Sequence, residues 1–313
     1  MRSLPLMIMN LSKKLFRQFL AKTDQDQQGF KMLSSTECIT WLVLFLTESV
    51  AIVTVNLFTI VIFIKNNNLR TRTLYLVIHL TVADLFVGVF SRSVAQIYSL
   101  MACNFVQIDY SSQVQSLLLA GSYFFPLVSL TNIAVISLER FHATFFPFRH
   151  RVTKTWVYFL AIAAIWVLPG IVQAILQLPI YLVSNERKYY FSFPVYCCLC
   201  LFSIFVSYTL IFLKFRCRAH PQRVAAASLR QRKLTVTLLV TTLVSLALWL
   251  PYNIYFCVAC STPSLYSFLS PLQPIRLKNA LLVLLHANSL VNPIVYSIRI
   301  PEFKKALLSL CKR

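Results

Sequence analysis

Seven long apolar stretches, over roughly residues 39–64, 73–101, 113–141, 156–183, 191–215, 234–259 and 277–297, leave this chain few ways to fold. At about 1.5 Å per residue, each is long enough to cross a hydrocarbon core of about 30 Å as an α-helix. Backbone N–H and C=O groups find no water in that medium, so a spanning segment has to satisfy them internally. The alternative, a closed barrel, needs short segments of alternating polarity, and these runs do not alternate. Of the residues, 58% are hydrophobic, which suits a chain solvated by lipid rather than a soluble domain. The predicted fold is therefore all-α, a bundle of seven transmembrane helices. Its connectors leave no room for a second domain. The chain divides into an N-terminal tail (1–38), a membrane domain (39–298) and a C-terminal segment (299–313).

The formal charge of +21 is distributed unevenly. Lys65, Arg70 and Arg72 follow the first run, and Arg140, Arg149, Arg151 and Lys154 separate the third from the fourth. Arg216, Arg218, Arg223, Arg230, Arg232 and Lys233 lie between the fifth and sixth, and Lys304, Lys305, Lys312 and Arg313 close the chain. The alternate loops carry only Arg187 with Lys188, and Arg276 with Lys278. Because basic loops stay in the cytoplasm, this pattern predicts a cytoplasmic C-terminus and an extracellular N-terminus. The basicity thus reflects topology and contact with anionic lipid, and nucleic acid is not an expected partner. The tail runs against the pattern, with Arg2, Lys13, Lys14, Arg17, Lys22 and Lys31 on the predicted outer side. It also carries an N-glycosylation acceptor pattern at Asn10.

Asp84 lies near the middle of the second run. A carboxylate at that depth costs at least about 2.5 kcal/mol, so a chain that keeps one aims it at an interior cavity, an ion or a pathway. Partners are available at helical spacing. Asn288, Ser289 and Asn292 precede Pro293 in the seventh run, Ser129 and Asn132 lie in the third, and Asn56 lies in the first. A carboxylate ringed by hydroxyl and amide oxygens suits a small hard cation such as Na⁺. The plainer alternative is that these groups only bond helices together. Arg140 ends the third run, where an arginine commonly anchors a helix by snorkelling. Pro251 removes a backbone bond beside Trp249, which makes it a candidate hinge.

Together these residues form an ordered set: Asn56, Leu80-Thr-Val-Ala-Asp84, Glu139-Arg140-Phe141, Trp166, Tyr208, Trp249-Leu-Pro251 and Asn292-Pro-Ile-Val-Tyr296, one group per run. The set resembles the rhodopsin-like (class A) G-protein-coupled receptors over about residues 41–313. Each motif is weak alone, and the order makes the signal specific. The resemblance implies a ligand-activated plasma-membrane receptor that signals to a heterotrimeric G protein. It puts Asp84, Ser129, Asn288, Ser289 and Asn292 in a sodium pocket that disfavours activation, with no other cofactor. It makes Arg140, preceded by Glu139, the G-protein contact, supported by Tyr208 and Tyr296, with Pro251 and Pro293 in the moving helices. It implies a short amphipathic helix after the seventh run, with Phe303, Ala306, Leu307 and Leu310 on one face and Cys311 as either a palmitoylation site or a free thiol.

The chain departs from the family pattern in places. Gln115 occupies the position of the usual bridging cysteine and Cys200 that of a proline, and the loop before the fifth run has no cysteine. These absences resemble the melanocortin, cannabinoid and lysophospholipid receptors, while Phe256–Ser261 and Arg299–Phe303 look more like adenosine receptors. Cys103 stands in the first outer loop, and Cys257 and Cys260 either bridge or remain thiols. Ser122 replaces the aspartate of amine receptors and His286 the lysine of retinal-binding members, which argues against a monoamine or retinal. The ligand, a small molecule, lipid or peptide, is expected among Gln96, Ser122, Tyr123, Trp249, Tyr252, Asn253 and His286. Arg92, inside the second run, either pairs with an anionic ligand, or snorkels to the outer surface or pairs with another group of the protein. The rival class is a transporter or proton pathway through Asp84, which would show an internal repeat. The chain has no metal-spaced His/Cys cluster, nucleophile motif or phosphate loop, so an enzyme is not expected.

Overall fold

A computed structural model describes residues 34–66, 72–103, 105–108, 112–182, 192–217, 226–261, 273–299 and 303. Every regular element among them is helical. They are α1 (Ser35–Lys65), α2 (Arg72–Phe86), a π-turn (Val87–Ser91), α3 (Arg92–Ala102), α4 (Ser112–Phe145), α5 (Pro147–Val152), α6 (Thr155–Leu182), α7 (Ser192–Cys217), α8 (Ala226–Ser261) and α9 (Gln273–Arg299). α2, the π-turn and α3 together form the second predicted span. Among the described residues, five helical stretches are long and apolar enough to cross a membrane, with α2, the π-turn and α3 counting as one, and α8 holds a shorter apolar stretch, Leu243–Val258.

Local chemistry sets the ends and the irregularities. The Ser34 side chain accepts from the Glu37 N–H at 3.2 Å and caps α1. Pro147 opens α5, where its missing N–H costs nothing. In the π-turn the Arg92 N–H bonds to the Val87 carbonyl, and the Gly88 carbonyl accepts from Ser49 Oγ at 2.9 Å. The wider turn thereby bonds α1 to the second span. A Cβ at Gly88 would lie 2.7 Å from Ile52 Cγ2, so glycine lets α1 approach this closely.

α4 is central, packing on α2, the π-turn, α6 and α7, while α1–α2, α1–α9, α9–α8 and α8–α7 contacts close the ring. The interior is apolar around Leu127, Leu130, Ile133, Ile204 and Trp249. The outer faces are apolar too: Leu44, Phe159, Leu199, Phe202, Phe205 and Ile254 are all exposed. Water would penalise such a surface and lipid does not, so the chain is a multi-pass membrane protein.

Candidate functional site

At the end of α2 the Asp84 side chain is fully buried. Its Oδ1 accepts from Ser129 Oγ of α4 at 2.7 Å and from Ser289 Oγ of α9 at 2.8 Å, and its Oδ2 accepts from Asn292 Nδ2 of α9 at 2.7 Å. Asn56 Nδ2 donates to Ile52 O at 2.9 Å and Ser289 O at 3.0 Å, tying α1 to the same part of α9. Asn132 instead faces the α2 backbone, where its amide, oriented to suit both atoms, donates to Leu76 O and accepts from Leu80 N. Asn288 is buried but is not bonded to Asp84, and it departs from the predicted set in that respect. The Oδ1 atoms of Asn56, Asn288 and Asn292 have no hydrogen-bond partner among the described residues. An acid with only neutral donors, in a region that also holds unsatisfied amide oxygens, fits a hard cation.

Eight residues further along the same span, Arg92 is also fully buried and forms an ion pair with Glu48 of α1. Its guanidinium lies 4.5 Å from the centroid of the Phe45 ring. Arg92 Nη1 is 3.4 Å from His286 Nδ1, which itself lies 2.7 Å from the Leu282 carbonyl. A ring nitrogen that donates to a carbonyl has no lone pair left, so Arg92 and His286 are in contact without a hydrogen bond. Arg92 is thus met by the protein's own acid. The sequence held a signal for it: Glu48 is the lone acid of the first run, nine positions from its N-terminal end, and Arg92 the lone arginine of the second, nine positions from its C-terminal end.

Toward the C-terminal end of α4, Glu139 and Arg140 form a bidentate pair, with Arg140 Nη2 donating to Glu139 Oε1 at 2.6 Å. His150 Nε2 of α5 is 2.8 Å from the same oxygen, and Tyr158 OH of α6 donates to it at 3.4 Å. Lys214 Nζ of α7 donates to Thr144 O at 2.7 Å. Tyr208 is buried nearby in sequence on α7, and Pro251 and Pro293 lie inside α8 and α9. Sequence reasoning did not single out His150 or Tyr158, because their roles depend on the fold of the loop.

The residues predicted to line a ligand pocket lie on α3, α4, α8 and α9. Tyr252 OH donates to Tyr123 OH at 3.3 Å, Tyr123 packs edge-on to Phe193, and Asn253 Nδ2 donates to Cys198 Sγ at 3.1 Å. Trp249 is buried, and its Nε1 has no hydrogen-bond partner among the described residues. Ser122 is half-buried on α4. Gln96 is half-buried on α3, one turn beyond Arg92, and His286 lies beside Arg92.

Of the two alternatives for Cys257 and Cys260, the structure takes the thiol. A disulfide joins Cys38 of α1 to Cys103 after α3, while Cys257 is a thiol and the Cys257–Cys260 bridge is not formed. Residues three apart on a helix hold their Cβ atoms about 5–6 Å apart, and a disulfide needs about 3.5–4.5 Å. Asn10, Cys311 and the side chains of Cys260 and Tyr296 lie outside the described residues.

A family model described as "7 transmembrane receptor (rhodopsin family)" matches residues 55–296. The Substance-K receptor of Mesocricetus auratus is 27% identical over 289 residues, 82% of this chain and 71% of that protein. Melanocortin receptor 5 of Homo sapiens is 26% identical over 279 residues, 83% of this chain and 81% of its own. Adenosine receptor A3 of Bos taurus is 26% identical over 276 residues, 79% of this chain and 81% of its own.

Proposed function

On the premise that this chain belongs to the rhodopsin family of seven-transmembrane receptors, we propose how its sites divide the work of signalling. The chain is a ligand-activated, G-protein-coupled receptor and not an enzyme. It works at the plasma membrane with its N-terminus outside. The basic loops support that orientation, and so does the Cys38–Cys103 disulfide at the N-terminal end of α1, since disulfides persist in oxidising compartments. The extracellular ligand sits among Gln96, Ser122, Tyr123, Trp249, Tyr252, Asn253 and His286. Receptors for different kinds of ligand resemble the chain about equally, so small molecules, lipids and peptides all stay in view.

Signalling is a shift between two global states that ligand and G protein, on opposite faces, both bias. In the closed state Arg140 is buried against Glu139, and that pairing is the observation that carries the reading. Releasing Arg140 exposes the cation the G protein contacts, with Tyr208 and Tyr296 closing behind it and Pro251 and Pro293 absorbing the helix movement. Na⁺ at Asp84, Ser129, Ser289 and Asn292, with Asn288 one turn from Asn292, would neutralise the buried carboxylate and hold the closed state. Phe303, beyond α9, packs on Phe63 of α1, and Cys311 would carry an acyl anchor. Transport through Asp84 gains no support, as the relatives named above are receptors.

Expression with a panel of G-protein reporters tests the proposal. Basal or ligand-driven coupling that disappears in Arg140→Ala at equal surface level is the expected result. Unchanged coupling in that variant would overturn it.

A further inference from the structure

We infer that Lys214 is a positioning residue for the Arg140 switch: from α7 it clasps the C-terminal end of α4 and favours the closed state. The inference rests on the reading above, in which Arg140 leaves Glu139 to meet a G protein and Tyr208 closes behind it.

The last carbonyls of a helix have no partner within it, and the helix dipole makes that end partly negative. α4 ends at Phe145. Lys214 Nζ donates to the Thr144 carbonyl at 2.7 Å, and the same ammonium lies 4.2 Å from the centroid of the Phe145 ring. One side chain of α7 thus holds the last two residues of α4. Both of those residues are tied to the turn that carries Arg140. Thr144 Oγ1 donates to the Arg140 carbonyl at 2.8 Å, and Phe145 stacks on Phe141 with 4.5 Å between ring centroids.

The charge pattern leaves α7 few other ways to fasten here. α7 and α8 contain no Asp or Glu, while Lys214 and Arg216 lie near the end of α7 and Arg230, Arg232 and Lys233 near the start of α8. Glu139 is the one acid of α4, and Arg140 already holds it. A basic helix end can then grip α4 only through backbone carbonyls and a ring face, and Lys214 uses both. Its side chain is half-buried, so water competes less for the ammonium. Tyr208 lies six residues before Lys214, which puts the two about 120° apart around α7. Turning α7 to bring Tyr208 behind the departing Arg140 carries Lys214 off Thr144. The released state forfeits both contacts, and contacts made in one state alone bias the equilibrium toward it.

The test is basal nucleotide exchange on a panel of purified heterotrimeric G proteins, expressed per folded receptor, alongside the receptor's melting temperature in detergent. Lys214→Met keeps the apolar stem and loses the charged donor, and its exchange is expected to rise about fivefold. Phe145→Leu removes only the ring face and is expected to give about a twofold rise. Lys214→Arg restores a cation that reaches both groups and is expected to return exchange to near the wild-type rate. A merely structural lysine would lower the melting temperature and leave exchange per folded receptor unchanged, and that result overturns the inference. A fall in exchange in Lys214→Met, or the same rise in Lys214→Arg as in Lys214→Met, overturns it too. If Arg140→Ala abolishes exchange while Lys214→Met matches wild type, only the role of Lys214 fails. If Arg140→Ala changes nothing, or no variant exceeds the receptor-free rate, the coupling reading fails and this role with it.

Discussion

Asp84 and Arg92 lie eight residues apart on one membrane span, both fully buried, and the protein meets their charges by opposite means. Asp84 receives two hydroxyls and an amide, all neutral, from α4 and α9. Arg92 receives the carboxylate of Glu48 and the face of Phe45, both from α1. Neutral donors orient a carboxylate without cancelling a charge on it, an arrangement that suits a cation. The Arg92 site is closed by its own counter-ion, which leaves it little to offer an anionic ligand. The π-turn lies between the two, and α1 packs on the second span on both sides of it. One helix thus carries an unneutralised charge suited to switching and a neutralised one suited to holding helices in register.

The largest expected effect comes from breaking the neutralised site. Arg92→Met or Glu48→Leu alone leaves a charge in a dry interior and is expected to cost about 3–5 kcal/mol, seen as lost surface expression and a lower melting temperature in detergent. The double variant is expected to recover most of that loss. Single variants that melt like wild type would mean the pair does not hold α1 to α3. A smaller effect separates the two sites by ion. With Na⁺ at about ten times its dissociation constant, wild type gains about 1.4 kcal/mol over a large organic cation. Asp84→Asn is expected to gain nothing, whereas the Glu48→Leu/Arg92→Met double variant keeps the gain. Equal melting of wild type in both salts would remove the cation from the Asp84 site. The smallest effect lies within that site. Ser289→Ala is expected to cost about 1 kcal/mol through its lost bond to the carboxylate, and Asn288→Ala less, because Asn288 makes no bond to Asp84. A larger loss at Asn288 would show that it, too, serves the acid.

The apolar runs carried most of the helical framework. The run at 156–183 became α6, Thr155–Leu182, because hydrophobicity alone sets where a lipid-facing helix stops. The run at 234–259 understated α8, which begins at Ala226, because Arg230, Arg232 and Lys233 are good helix formers that hydropathy ignores. Ser129, Ser289 and Asn292 were legible as partners of Asp84 because helical spacing put them on inward faces. Asn132 and Asn288 share those faces, yet one turned to backbone and the other stayed apart, a choice made by packing at the scale of a single rotamer. Glu48, Cys38 and His150 each find their partner on another element, so their roles appear only once the helices are placed.

The covalent staple between Cys38 and Cys103 also bears on how a signal molecule gets in. It shuts the rim between the first helix and the end of the second span, and the Glu48–Arg92 pair bars the same seam one level down. A lipid-borne molecule sliding in sideways would meet two links in that seam, one covalent and one ionic.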